Sequence, residues 1–181
     1  MTMDLQANPR GIPQAPFVDD VAKFVADGDY EGTLRKFQEM ISKYRFMETH
    51  LLQRKKSLES KIPEIRKTHE MVVFLQAKKE SDEPIEADFE LAETLWTKAR
   101  IPATETVNLW LGANVMLQYT VEEAKDLLSS KLKSATLSLK QVDEDLEFLK
   151  EQITTMEVNM ARVYNDDVRR RRSIQEPVSA K

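Results

Sequence analysis

The stretch from Leu128 to Val163 constrains this chain most. Its apolar residues recur at alternating steps of four and three: Leu128, Leu132, Ala135, Leu139, Val142, Leu146, Leu149, Ile153, Met156, Met160 and Val163. Held over that length, the spacing specifies a long coiled-coil helix rather than an ordinary globular one. A stripe of two residues in seven is too narrow to cover a globular core, so the helix needs a partner of similar length.

That partner lies earlier in the same chain. Leu34, Phe37, Ile41, Tyr44, Leu51, Leu58, Ile62, Ile65 and Val72 share one heptad register, with Glu48, Lys55 and His69 as polar exceptions. The pattern predicts a first helix over about 30–80 and a second over about 121–170. At about 1.5 Å per residue each spans about 70 Å. Thr120 and Glu123 have the Thr-x-x-Glu spacing of a capping box at the head of the second helix. Pro63 falls inside the first helix, where a missing N–H predicts a bend. Counting back from the helix ends places it opposite the small residues Ser134 to Ser138.

Between the helices the period changes from 3.5 to 2. Phe89, Leu91 and Leu95, then Val107, Leu109 and Leu111, then Val115, Leu117 and Tyr119 alternate with their neighbours, with turns at Pro102 and at Gly112-Ala113-Asn114. These runs predict two β-hairpins over about 88–119. The expected fold is mainly α: a long antiparallel coiled-coil hairpin with two β-hairpins inserted between the helices, forming one domain over 17–172. Residues 1–16, with Pro9, Gly11, Pro13 and Pro16, read as a flexible tail, and 173–181 as a second one.

Lone hairpins are marginal in water and their edges carry unpaired backbone groups. The insert is therefore expected to assemble with strands of other subunits through Leu91, Leu95, Trp96, Val107, Leu109, Trp110, Leu111, Val115, Leu117 and Tyr119. Near the chain ends, Val18, Val21, Phe24, Val25, Met160, Val163 and Tyr164 form an apolar set. They can serve as an adaptable tip that contacts partners, or simply pack the short N-terminal helix onto the seam.

Several function classes are excluded. There is no cysteine, so neither a disulfide framework nor a thiolate metal site is available. His50 and His69 lack a second ligand at helical spacing, and four glycines are too few for a phosphate cradle. No catalytic residue, cofactor or metal is expected. The second helix carries eleven acidic and six basic residues from Val121 to Val168, which disfavours nucleic acid. The Arg169–Arg172 run reads as cations at a helix C-terminus. No apolar run approaches a membrane span, and no apolar leader precedes the first helix. A soluble, intracellular protein is expected.

Four runs carry a family resemblance: Tyr44-Arg45-Phe46-Met47-Glu48, Lys61-Ile62-Pro63-Glu64-Ile65, Leu109-Trp110-Leu111-Gly112-Ala113-Asn114-Val115-Met116-Leu117, and Thr154 through Asn165. Over roughly Ile12 to Arg172 the chain resembles an α-class prefoldin subunit. The resemblance implies a heterohexamer of two α-class and four β-class subunits whose strands form a double β-barrel platform above six coiled-coil legs. It further implies ATP-independent capture of unfolded actin and tubulin at the leg tips, and delivery to the cytosolic chaperonin. The implied location is cytoplasmic, with the nucleus as a second compartment. A coiled-coil tether that binds one specific partner through its termini is the alternative, although a tether needs only a turn where this chain places strands.

Overall fold

Two short polar side chains start the long helices. Asp29 accepts a hydrogen bond from the Gly32 N–H at 2.8 Å, which caps one. Thr120 and Glu123 exchange the reciprocal bonds of a capping box, at 3.2 and 3.1 Å, at the head of the other. In the computed structural model, which describes residues 7–25 and 28–175, the elements run α1 (Val21–Phe24), α2 (Tyr30–Ser81), β1 (Ile85–Ala92), β2 (Leu95–Ile101), β3 (Thr106–Gly112), β4 (Val115–Thr120) and α3 (Val121–Gln175). The antiparallel two-helix, two-hairpin fold expected from periodicity is present. The chain divides into two compact units, one of residues 1–56 with 140–181 and one of residues 57–139.

In the first unit, Val142, Leu149, Met156 and Val163 form a fully shielded column along α3, spaced by seven. Phe37, Ile41 and Tyr44 of α2 join Leu149, Met156 and Val163 in one core cluster. Arg45 pairs with Glu157 at 2.7 Å and Lys55 with Asp143 at 2.8 Å, which fixes an antiparallel register. The polar seam exception Lys55 thus has a carboxylate beside it.

The column has a second side that the seam pattern did not reveal. Asp145, Gln152 and Asn159, also spaced by seven, are buried although polar. Their partners come from residues 8–18. Asn8 and Arg10 bond Asp145 at 2.7 and 2.6 Å. The Ala15 N–H donates to Gln152 at 2.8 Å. Asn159 donates to the Pro16 carbonyl at 2.6 Å and accepts from the Val18 N–H at 3.0 Å. The segment expected as a flexible tail over 1–16 is therefore, from Ala7 onward, a strap along α3. Its prolines do forbid helix, as expected, but they favour extended backbone. Ile12, Ala15 and Val18 are buried at every third position, the period of a polyproline II segment. Residues 1–6 lie outside the described residues, as do 176–181 of the second expected tail; Ser173–Gln175 of that tail belong to α3.

In the second unit, Lys125 donates to Gln76 at 2.9 Å and Lys79 pairs with Glu122 at 3.2 Å, so α2 and α3 again run antiparallel. Stepping back at equal rise brings Pro63 level with Ser138, within the small-residue run. The helix continues through Pro63. That residue faces solvent, where water can satisfy the carbonyl left without an N–H partner. β1 pairs with β2 and β3 with β4, as two separate two-stranded sheets. The second turn places Ala113 and Asn114 at φ 48° and 59°, the positive values a tight hairpin needs.

Replacing Asn159 by leucine leaves the Val18 N–H and Pro16 carbonyl without partners. A loss of about 1–3 kcal/mol is expected, read as faster hydrogen exchange at Val18 while Val72 in the other unit is unaffected. Ala113→Gly relieves a left-handed alanine and should stabilise the β3–β4 hairpin by about 0.5–1 kcal/mol. Thermal unfolding of the assembled protein checks this, and a lowered melting temperature would contradict it.

Candidate functional site

The hairpins present a dense set of uncovered apolar side chains. In β1–β2, residues pair across the strands as Ile85 with Ile101, Ala87 with Ala99 and Phe89 with Thr97, all on one face. On the opposite face Glu86 stands across from Arg100 and Asp88 from Lys98, opposite charges that suit water. The ribbon is thus amphipathic, yet among the described residues nothing buries Phe89 or Ile101 on its apolar side. Phe89 is 59% exposed, and Leu91, Leu95 and Ile101 are exposed with it; Trp96, also exposed, pairs with Glu90 on the charged face.

The β3–β4 hairpin divides along its length. Near its base, Val107, Leu109 and Tyr119 pack against Val72, Val121, Ala124 and Leu128 of the helices. Toward its turn, Leu111, Val115 and Leu117 are exposed, and so are Trp110 (61%) and Met116 on the other face. Of the ten residues expected to assemble subunits, seven are therefore free to do so. Val107, Leu109 and Tyr119 are partly buried where they seat the hairpin on its own helices. Phe89, Ile101 and Met116 belong to the exposed set and were missing from it, although the alternation that places them beside its members is plain in the sequence.

In the first unit the expected tip residues fare differently. Val18, Val25 and Val163 are buried in the core cluster, and Val21, Phe24 and Met160 pack against it. These six close the end of the chain's own core. Tyr164 alone is exposed, at 58%. Other exposed apolar groups lie in the same unit. Phe17 carries the Arg162 guanidinium 5.3 Å over its ring. Pro13, Met40, Tyr44, Phe46 and Met47 line an open apolar groove of ≈ 630 Å³, with Ser42 and Lys43 at its margin. Phe46 meets His50 edge-on at 4.4 Å.

At the end of α3 charge is paired within the helix. Arg170 and Arg171 both reach Asp167, at 3.3 and 2.7 Å. Arg170 also lies 4.7 Å over the Tyr30 ring, whose hydroxyl donates to Asp166 at 2.8 Å. That bond holds the Tyr30 phenol above its ordinary pKa. Two members of the arginine run are thus engaged by their own helix. At the hairpin base Lys78 sits 2.7 Å from Glu83. The Lys78 ammonium holds the Glu83 carboxyl below the ordinary range, and the helix-start N–H of Glu122 followed by Lys79 does the same for Glu122. Among the described residues no cluster of side chains could hold a metal ion, and no helix is long and apolar enough to cross a membrane.

A surface of unpaired hairpins on a helix pair, with no chemical centre among the described residues, defines an assembly subunit. Residues 44–166 match the prefoldin subunit family, and the chain belongs to that family. Relatives bearing the name prefoldin subunit 3 are 57% identical in Elsinoe fawcettii, over 97% of this chain and 89% of the relative. The human one is 50% identical over 89% and 83%, and that of Saccharomyces cerevisiae 45% identical over 94% and 91%. Prefoldin subunits are co-chaperones rather than enzymes, and the chain is a subunit of that kind.

Phe89→Asp should leave the helical circular dichroism of the chain unchanged and abolish its co-purification with other prefoldin subunits. Leu109→Asp, which buries a charge against Val121, should instead lower the helical signal itself. Equal effects of the two would contradict the division of the hairpins. The depressed carboxyls of Glu83 and Glu122 stabilise the folded state above their unfolded pKa values, and that contribution is lost as pH falls through the folded ones. A Glu122→Gln chain should accordingly show a shallower loss of thermal stability on acidification than the unaltered protein.

Proposed function

We propose that this chain is one leg of a heterohexamer of two α-class and four β-class prefoldin subunits. In this reading the complex captures unfolded actin and tubulin without ATP and passes them to the cytosolic chaperonin. It acts in the cytoplasm, with the nucleus as a second compartment. The observation that supports the reading is the uncovered apolar side of β1–β2 together with the exposed turn of β3–β4. A tether needs no such surface, and a chain with these open edges is expected to aggregate or self-associate until strands from neighbours cover them. The family supplies the kind of complex that does so.

Holding a non-native chain requires apolar groups that stay wet in the assembled state. Tyr164, Phe17 and the Met40–Met47 groove are of that kind, and methionine adapts to many partners. The test is light scattering of diluted, denatured actin with and without the reconstituted complex containing this chain. Suppressed scattering, released on adding chaperonin, is the expected result. Scattering unchanged by the complex would reject client holding, and a stable, monodisperse monomer of the isolated chain would reject assembly.

A further inference from the structure

Asn159 and Gln152 read a polypeptide main chain. The Asn159 carboxamide donates to the carbonyl of Pro16 and accepts from the N–H of Val18, at 2.6 and 3.0 Å. Those two groups flank one residue of an extended chain, so the carboxamide stands in for the N–H and C=O that one residue of a parallel neighbouring strand would offer. Gln152 accepts from the Ala15 N–H one heptad away. From α2, the Tyr44 hydroxyl donates to the Pro13 carbonyl at 3.0 Å. With the strap seated, Asn159 is fully buried and Gln152 6% exposed, so the strap backbone rather than water satisfies these amides.

We infer that this ladder is a binding site for extended polypeptide backbone, filled in cis by residues 13–18 and shared with non-native client segments that displace them. Three features carry the inference. The contacts go to main-chain atoms, which every polypeptide offers, so recognition is independent of sequence. The side chains that enter are small or flexible in demand: Ala15 and Val18 point inward while Phe17 stays outside. Between residues 13 and 18 the hydrogen bonds holding the strap come from these side chains, so a second extended chain exchanges them one for one. The ion-paired clasp of Arg10 on Asp145 and Glu144, at 2.6 and 3.1 Å, lies beyond the ladder and ties down the strap's start. A strap that occupies its own site lowers apparent client affinity by the fraction of time it is seated. Displacing it would also lift Ala15 and Val18 off the core and offer the Val163 side to the client's own apolar side chains. The inference rests on the client-holding reading above and names the groups that perform it.

The test uses the reconstituted complex containing the full chain and, as probe, reduced and carboxymethylated α-lactalbumin, which stays unfolded in buffer. Two quantities are read: probe affinity by fluorescence anisotropy, and hydrogen exchange at Ala15 and Val18. Arg10→Ala loosens the clasp without touching the ladder and should tighten probe binding by about three- to tenfold. Gln152→Leu added to Arg10→Ala should reverse that gain. Saturating probe should speed exchange at the Ala15 and Val18 amides of the strap. Unchanged or weaker binding in Arg10→Ala overturns the inference, as does full protection of Ala15 and Val18 with probe bound. In either of those outcomes client holding survives and only its location is wrong. Failure of the unaltered complex to bind the probe at all overturns client holding itself, and the inference with it.

Discussion

The column Val142–Leu149–Met156–Val163 is the constraint on which the first unit depends. A single helix packed on α3 covers one flank of that column and leaves the other open to water. The strap from residues 8–18 closes the open flank, and it can do so only because α3 offers hydrogen-bond partners at the right interval. Extended backbone carries a donor and an acceptor at nearly every residue, and burying them unpaired costs more than the apolar contact returns. Asp145, Gln152 and Asn159 meet those groups once per heptad, so polar side chains in a buried stripe are what allow the apolar ones to stay dry.

The second unit faces the opposite problem. Its hairpins satisfy their backbone within each pair but leave both outer edges and one whole apolar face uncovered. Only Val107, Leu109 and Tyr119 gain cover from the helices. A two-stranded ribbon with opposite charges on one side and Phe89, Ile85 and Ile101 on the other is built to be the outer strand pair of something larger. That incompleteness is the physical content of calling this chain a subunit. The units thus differ in how they treat apolar surface: the first buries a continuous column of it, and the second leaves most of its hairpin side chains uncovered.

Much of the architecture was legible from periodicity alone. The seam residues of α2 from Phe37 to Val72, Lys55 and His69 among them, are less exposed than the residues beside them, except that Glu48 is matched by Met47. The capping box at Thr120 and the turn at Ala113-Asn114 stand where residue type placed them. The candidate site was legible only in part. Alternation tells which strand residues share a face, but it does not tell which of those faces its own helices will cover. Apolar residues near the chain ends could equally finish a core or meet a partner, and six of seven finish the core.

What the sequence by itself determined were the helices, the hairpins and their order, because each follows from a local repeat of 3.5 or 2 residues and from short-range capping and turn chemistry. What only tertiary structure decided was the fate of the Leu128–Val163 stripe on its far side. Asp145, Gln152 and Asn159 look, in sequence, like members of a solvated face, and Pro9 to Pro16 look like a tail. Each set lacks partners until the other arrives from about 140 residues away. Long-range hydrogen bonds between main chain and side chain leave no periodic trace in either segment, so nothing short of folding could reveal them.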